Sequence, residues 1–135
     1  QETVSGRNAF FFACEEGKLE IAKYLVEMGC NWQVQTKDEL TPLHGACVHG
    51  HLHIVQYLVE KLKVDIDAKD DDQMTPLGIC VINRWVEGIN FLVTKGASVN
   101  QEYGDTKATP LHMAVDIGSI ELTQLFVKVR NNHNL

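Results

Sequence analysis

The 135-residue sequence is short of positive charge. Its 12 lysines and arginines stand against 18 aspartates and glutamates, for a formal net charge of −6. A phosphate backbone needs a Lys/Arg-rich surface, so this balance argues against nucleic acid and favours a basic partner, or solubility alone. Long apolar runs are missing as well. Residues 9–14 form a run of six that Glu15 and Glu16 close, where a membrane span needs roughly 20. No span and no basic-then-apolar leader are expected. No two of the four cysteines, Cys14, Cys30, Cys47 and Cys80, have C-x-x-C spacing, and Cys14, Cys47 and Cys80 are evenly spaced. That suits a repeated buried position in a reducing, intracellular setting better than a disulfide framework. G-x-S-x-G, P-loop and paired-acid patterns are absent, so neither catalysis nor a cofactor is expected.

What the sequence does contain is repetition. "TPLHGACVHGHLHIVQYLVEK" begins at Thr41, "TPLGICVINRWVEGINFLVTKGASVN" at Thr75 and "TPLHMAVDIGSIELTQLFV" at Thr109, at equal intervals. One further step back from Thr41, shorter by a single position, reaches Asn8. It brings "NAFFFACEEGKLEIAKYLVEMG" into register, Ala13 with Ala46, Gly17 with Gly50 and Leu25 with Leu58. The cluster Phe10, Phe11 and Phe12 is therefore part of a divergent first repeat. Phe10 takes the place of Leu43, and Phe11 and Phe12 those of His44 and Gly45.

Each unit has the pattern of two short helices. Thr before Pro starts the first, because the hydroxyl caps and Pro loses no needed N–H at the first helical position. In the second unit this helix covers about residues 42–48, and Gly50 allows the chain to reverse. A second helix covers about residues 52–60, with Leu52, Val55, Leu58 and Val59 on one stripe. Polar turn residues follow, as in "DAKDDDQM". Helix pairs this short cannot bury their stripes alone, so neighbours must stack.

These residues resemble the ankyrin repeat, whose pattern runs T-P-L-H-x-A-A-x-x-G-H-x-E-I-V-x-x-L-L-x-x-G-A-x-V-N. "TPLHGACVHGHLHIVQYL", "TPLHMAV" and "KGASVN" carry the match, over about residues 5–130. The resemblance implies an all-α solenoid of stacked helix-turn-helix units with projecting β-hairpin-like fingers. It implies one domain, 1–135, of four repeats at about 5–37, 38–71, 72–105 and 106–135. It also implies a monomeric, non-catalytic module that binds a partner protein or peptide on its concave and finger surfaces. The alternative is a regulatory or targeting segment of a larger enzyme or signalling protein, and a third reading is a structural spacer.

Carried over by position, the finger tips contribute Lys37, Asp38 and Leu40, then Asp71, Asp72 and Met74, then Asp105, Thr106 and Ala108. The first helices contribute Glu15 and Glu16, Val48 and His49, Ile82 and Asn83, and Asp116 and Ile117. Leu40, Val48, Met74, Ile82 and Ile117 either form an apolar ridge flanked by carboxylates or pack between repeats. A ridge of that kind suits a peptide or helix carrying Lys or Arg. Trp85 lies in an inter-helix turn and is either a partner contact or local packing. Asn100, which follows Leu92 in "LVTKGASVN", is by the same resemblance a position open to asparaginyl hydroxylation, or simply a turn residue.

Repeat three departs most from the pattern. Gly78 replaces the histidine that ties finger to helix in the family, which implies a looser finger. Gly88 stands inside the second helix in the place of Ile54, at roughly 1 kcal/mol in propensity plus lost burial. Arg84 and Trp85 replace the Gly-His turn, so a strained positive φ is expected at Arg84.

No metal is expected. His49, His51 and His53 have no nearby cysteine to complete a closed zinc set. "DIDAKDDDQMTP" fails as a calcium loop because Lys69, Asp70 and Pro76 occupy key places. Cys14 and Cys47 follow a helix alanine with no base at fixed spacing, which points to packing. The apolar residues of repeat one, and Leu125, Phe126 and Val127 in repeat four, together with a first residue other than Met, lead us to expect a longer parent protein.

Overall fold

The computed structural model has four helix pairs, three of them started by Thr-Pro and three reversed at a glycine. It describes residues 6–133, with side chains to residue 130. The margins of the expected domain, 1–5 and 134–135, lie outside the described residues. The pairs are α1 (Ala9–Glu15) with α2 (Leu19–Glu27), α3 (Pro42–His49) with α4 (Leu52–Glu60), α5 (Pro76–Ile82) with α6 (Val86–Thr94), and α7 (Pro110–Ile117) with α8 (Ile120–His133). The first helices pack in sequence, α1 on α3 on α5 on α7, more closely than the second helices do. No strand occurs among the described residues; the only β pairing there is an isolated bridge between Tyr103 and Ala108.

The caps show why each first helix begins where it does. The side chains of Thr41, Thr75 and Thr109 accept hydrogen bonds from the N–H groups of His44, Gly78 and His112. Asn8 does the same work in repeat one, its Oδ1 accepting from Phe11 N–H at 2.9 Å. A cap of this kind stabilises by about 1 kcal/mol. The reversals at Gly17, Gly50 and Gly118 are left-handed, and Arg84 adopts the same geometry at φ 56°. That side chain costs on the order of 1 kcal/mol where glycine costs little.

The core runs continuously through the stack. Ala13, Ala46, Cys80 and Ala114 occupy one register and are all buried, and small residues there let neighbouring first helices approach. Leu58, Leu92 and Phe126 fill the matching register of the second helices. The four cysteines are free, and Cys14, Cys47 and Cys80 are buried. They do not share one repeated position, as their even spacing had suggested. Counted from the capping threonines, Cys80 matches Ala46 and Cys47 matches Val81. The Cys47 thiol instead meets Cys80 of the next repeat; that hydrogen bond, then burial, holds it well above its ordinary pKa. Burial alone pushes Cys14 up to about 12. Thiols so held are poor nucleophiles.

Repeat three is repaired at both of its weak points. Gly78 does not leave a slack finger. A Cβ there would collide with Met74 Sδ and lie 3.0 Å from Tyr103 Cζ. Tyr103, reaching back from the next finger, is buried and shares a hydrogen bond of 2.5 Å with the Thr75 hydroxyl. The missing histidine is thus replaced by a tyrosine entering from the opposite side. Gly88 loses no burial either: the Trp85 ring folds onto it, so that any Cβ would strike Trp85 Cε3. Trp85 also lies 3.8 Å from the position a Cβ on Gly50 would take. Trp85 and Gly88 form one packing unit, and the two residues depart from the family pattern together.

A double-mutant cycle tests this pairing. Gly88→Ile should destabilise the protein although it raises helix propensity, and Gly88→Ile with Trp85→His should recover most of the loss. We expect a coupling of about 1 kcal/mol or more in urea unfolding; additive changes would show that the two side chains pack independently.

Candidate partner-binding surface

The three fingers are built alike. In finger one, Thr36 N–H donates to Leu40 O at 2.9 Å and Leu40 N–H to Thr36 Oγ1 at 3.0 Å. In finger two, Asp70 N–H donates to Met74 O at 3.0 Å, and Asp70 Oδ1 accepts from the N–H groups of Asp72 and Met74, both at 2.9 Å. Each tip turns through a left-handed residue, Glu39, Gln73 or Lys107. Gly104 in finger three has no side chain to close the turn, and the pairing moves out to Tyr103 and Ala108, at 2.8 and 3.1 Å. Fingers one and two are tied: Asp71 N–H donates to Asp38 O at 3.0 Å.

That tie draws acidic tips together. Lys37, Asp38 and Glu39, Asp71 and Asp72, and Asp105 are all exposed. Partial loss of water, then the charges of Asp72, Asp38, Asp70 and Glu39, raise the Asp71 carboxyl above its ordinary value. Glu102, Gly104 and Asp105 face Asp71, Asp72 and Gln73 across an open cleft. Carboxylate oxygens of Asp70, Asp71 and Asp72 lie within 4.8 Å of one another; one oxygen of Asp70 is already engaged by the turn. The result is a band of negative charge along the finger edge.

The first helices present the other half of the surface. Val48 and Ile82 occupy equivalent positions on α3 and α5, and both are exposed, as are His49, Asn83 and Asp116. Leu40, Met74 and Ile117 are half-buried, so the five-residue ridge expected from the sequence divides into two exposed members and three that pack partly between repeats. Phe12 is also exposed, one helical turn before Glu15 and in the register of Gly45, Ile79 and Met113. It lies outside the positions carried over from the family, which are the finger tips and the residues just before each inter-helix turn. Its signal was the aromatic cluster itself, in which Phe10 and Phe11 are buried and Phe12 is not. Glu15 leans across the gap at Gly45, where a Cβ would come within 2.9 Å of Glu15 Cγ, and pairs with Arg7 at 3.5 Å. Trp85 is half-buried against Gly88, and Asn100 is exposed, its N–H donating to Ser98 Oγ at 3.3 Å.

Two histidines connect this surface to the stack. His44 is fully buried. Its Nδ1 accepts from Thr41 N–H at 3.1 Å, and its Nε2 donates to Met74 O of finger two at 2.9 Å. Burial is the main cause of its lowered pKa, so the ring stays neutral near pH 7. His51 crosses from repeat two to repeat one, its Nε2 donating to Glu15 O at 2.8 Å, with the ring lying over Gly17.

Stacked helix pairs, a threonine-oriented histidine that bonds the next finger and turns recurring at a nearly constant interval decide the family, and residues 10–103 match the family model described as "Ankyrin repeats (3 copies)". The chain belongs to the ankyrin-repeat family. It is 32% identical over 97 residues to alpha-latrocrustotoxin-Lt1a of Latrodectus tredecimguttatus, a match covering 72% of this chain and 7% of the toxin. It is 26% identical over 154 residues to Rabankyrin-5 of Mus musculus, covering 88% of this chain and 13% of that protein. It is 36% identical over 86 residues to the probable 26S proteasome regulatory subunit p28 of Saccharomyces cerevisiae, covering 63% of this chain and 37% of the subunit. The chain thus spans a minor share of each of these relatives. Ankyrin repeats are in general protein–protein interaction modules, and no helix among the described residues is long and apolar enough to cross a membrane.

Burial of His44 should make the stability of this ankyrin array depend on pH. The folded pKa lies below the ordinary 6.5, so the unfolded chain binds the extra proton, and stability present above that value is lost as pH falls through it. Urea unfolding should show the wild type weakening from about pH 7.5 to about pH 5.5, with a shallower slope in His44→Asn. Equal slopes would remove His44 as the cause.

Proposed function

We propose that this ankyrin array is a non-catalytic, intracellular recognition module that takes a Lys/Arg-bearing segment of a partner protein along its first helices and finger edge. The observation that carries this reading is the juxtaposition of two surfaces. Phe12, Val48 and Ile82 are exposed apolar side chains on the first-helix face, and Asp38, Asp71, Asp72 and Asp105 make the adjoining edge acidic. An amphipathic basic segment would bury its apolar side on the first and meet the second with its charges. Apolar contact would supply most of the affinity, and the carboxylates would supply orientation and association rate. The intracellular setting is supported by the four free cysteines.

Affinity purification with the array as bait, followed by titration of the proteins captured, tests the reading. Val48→Asp with Ile82→Asp should weaken a captured partner by about tenfold or more, the scale of a buried anchor. Asp71→Asn with Asp72→Asn should slow association and flatten its salt dependence, with a smaller effect on dissociation. Partners retained unchanged by both double variants would place the binding surface elsewhere.

A further inference from the structure

The four repeats carry equivalent residues, so each position can be compared with its counterparts, and the comparison singles out two faces. Ile21 of α2 is 54% exposed, while Ile54 and Leu122, in the same register of α4 and α8, are each 1% exposed. Tyr24 is 58% exposed, and its counterparts Tyr57, Phe91 and Leu125 are half-buried. A position covered in repeats two to four and bare in repeat one faces the preceding repeat.

At the other end the pattern inverts. Val115 of α7 is 63% exposed, whereas its counterparts Cys14, Cys47 and Val81 are at most 1% exposed. Ile120 is 72% exposed, against half-buried Leu19, Leu52 and Val86. These positions face the following repeat. A polar group agrees with the apolar ones: His112 repeats the bonds of His44 to its threonine, with Thr109 N–H to Nδ1 at 3.1 Å. Yet its ring is exposed where the His44 ring is buried and bonds the next finger.

We propose that both end faces are stacking interfaces, each covered by a further helix pair of the same repeat type in the same polypeptide. Three points identify the occupant. The bare side chains are those that another repeat covers inside this stack, so each face continues an interface already formed three times. The residue types are those of interior repeats: arrays end in polar-faced caps, and Ile21, Tyr24, Val115 and Ile120 are the reverse. The exposed His112 ring is oriented by Thr109 as His44 is by Thr41, and a following finger carbonyl would complete the arrangement seen at Met74. An unrelated partner would have no reason to match both the apolar register and this histidine.

Thiol labelling of the longest polypeptide that the gene encodes, beside the 135-residue array, tests the proposal. Val115→Cys is well tolerated in prospect, since Cys14 and Cys47 hold that register, and Ile21→Cys probes the other face. Maleimide labelling at both sites, read by peptide mass, should be about 100-fold slower in the long polypeptide than in the array, because it must await local opening of the stack. The slowing should be independent of protein concentration. Equal rates in the two proteins would overturn the proposal. Protection that appears in the array alone and grows with concentration would overturn the occupant, assigning the faces to a second copy stacked end to end. Neither variant touches Val48, Ile82 or the finger tips, so the outcome is separable from that of the binding reading.

Discussion

Burial of one helix pair against the next is the constraint on which the rest of this structure depends. A first helix of seven or eight residues is too short to be stable in water alone. Its apolar stripe gains on the order of 1.5–3 kcal/mol per large side chain only when a neighbour covers it. Everything else is arranged to let that stacking recur. Small residues at the Ala46 register allow close approach, Asn8 and three threonine caps fix where the first helices start, and left-handed turns return the chain to the second helix of each pair. The fingers are a consequence, since the chain between layers must cross the edge of the stack.

The same constraint explains how repeat three can break the family pattern and stay in register. A layer is judged by the volume it offers its neighbours, and two residues can share that task. Trp85 supplies over Gly88 the bulk that Ile54 supplies directly, and Tyr103 supplies to Thr75 the hydrogen bond that a histidine supplies elsewhere. Stacking leaves unused the outward side of the first helices and the finger tips, the surface proposed here for binding.

The period, the helix pairs, the capping residues and the positive φ at Arg84 were legible in the sequence, because each follows from local chemistry at a fixed spacing. The compensations were not. Gly78 and Gly88 are defects when read singly, and the partners that correct them come from the next finger, at Tyr103, and from the preceding turn, at Trp85. Likewise the even spacing of Cys14, Cys47 and Cys80 disguised a one-position slip that only the threonine register reveals. On the surface proposed for binding, the acidic tips, Val48 and Ile82 are exposed as the sequence suggested, but Leu40, Met74 and Ile117 are partly spent on packing. Phe12 was hidden among two buried phenylalanines, since exposure within such a cluster depends on helix phase and on what lies beside it.

If neighbour stacking is the main source of stability, protection must follow the number of neighbours. Amide hydrogen exchange on the 135-residue array measures this directly. The account predicts the slowest exchange in α3 to α6, which have a layer on each side, and faster exchange in α1, α2, α7 and α8. Uniform protection across all four repeats, or greatest protection in repeat one or four, would contradict it.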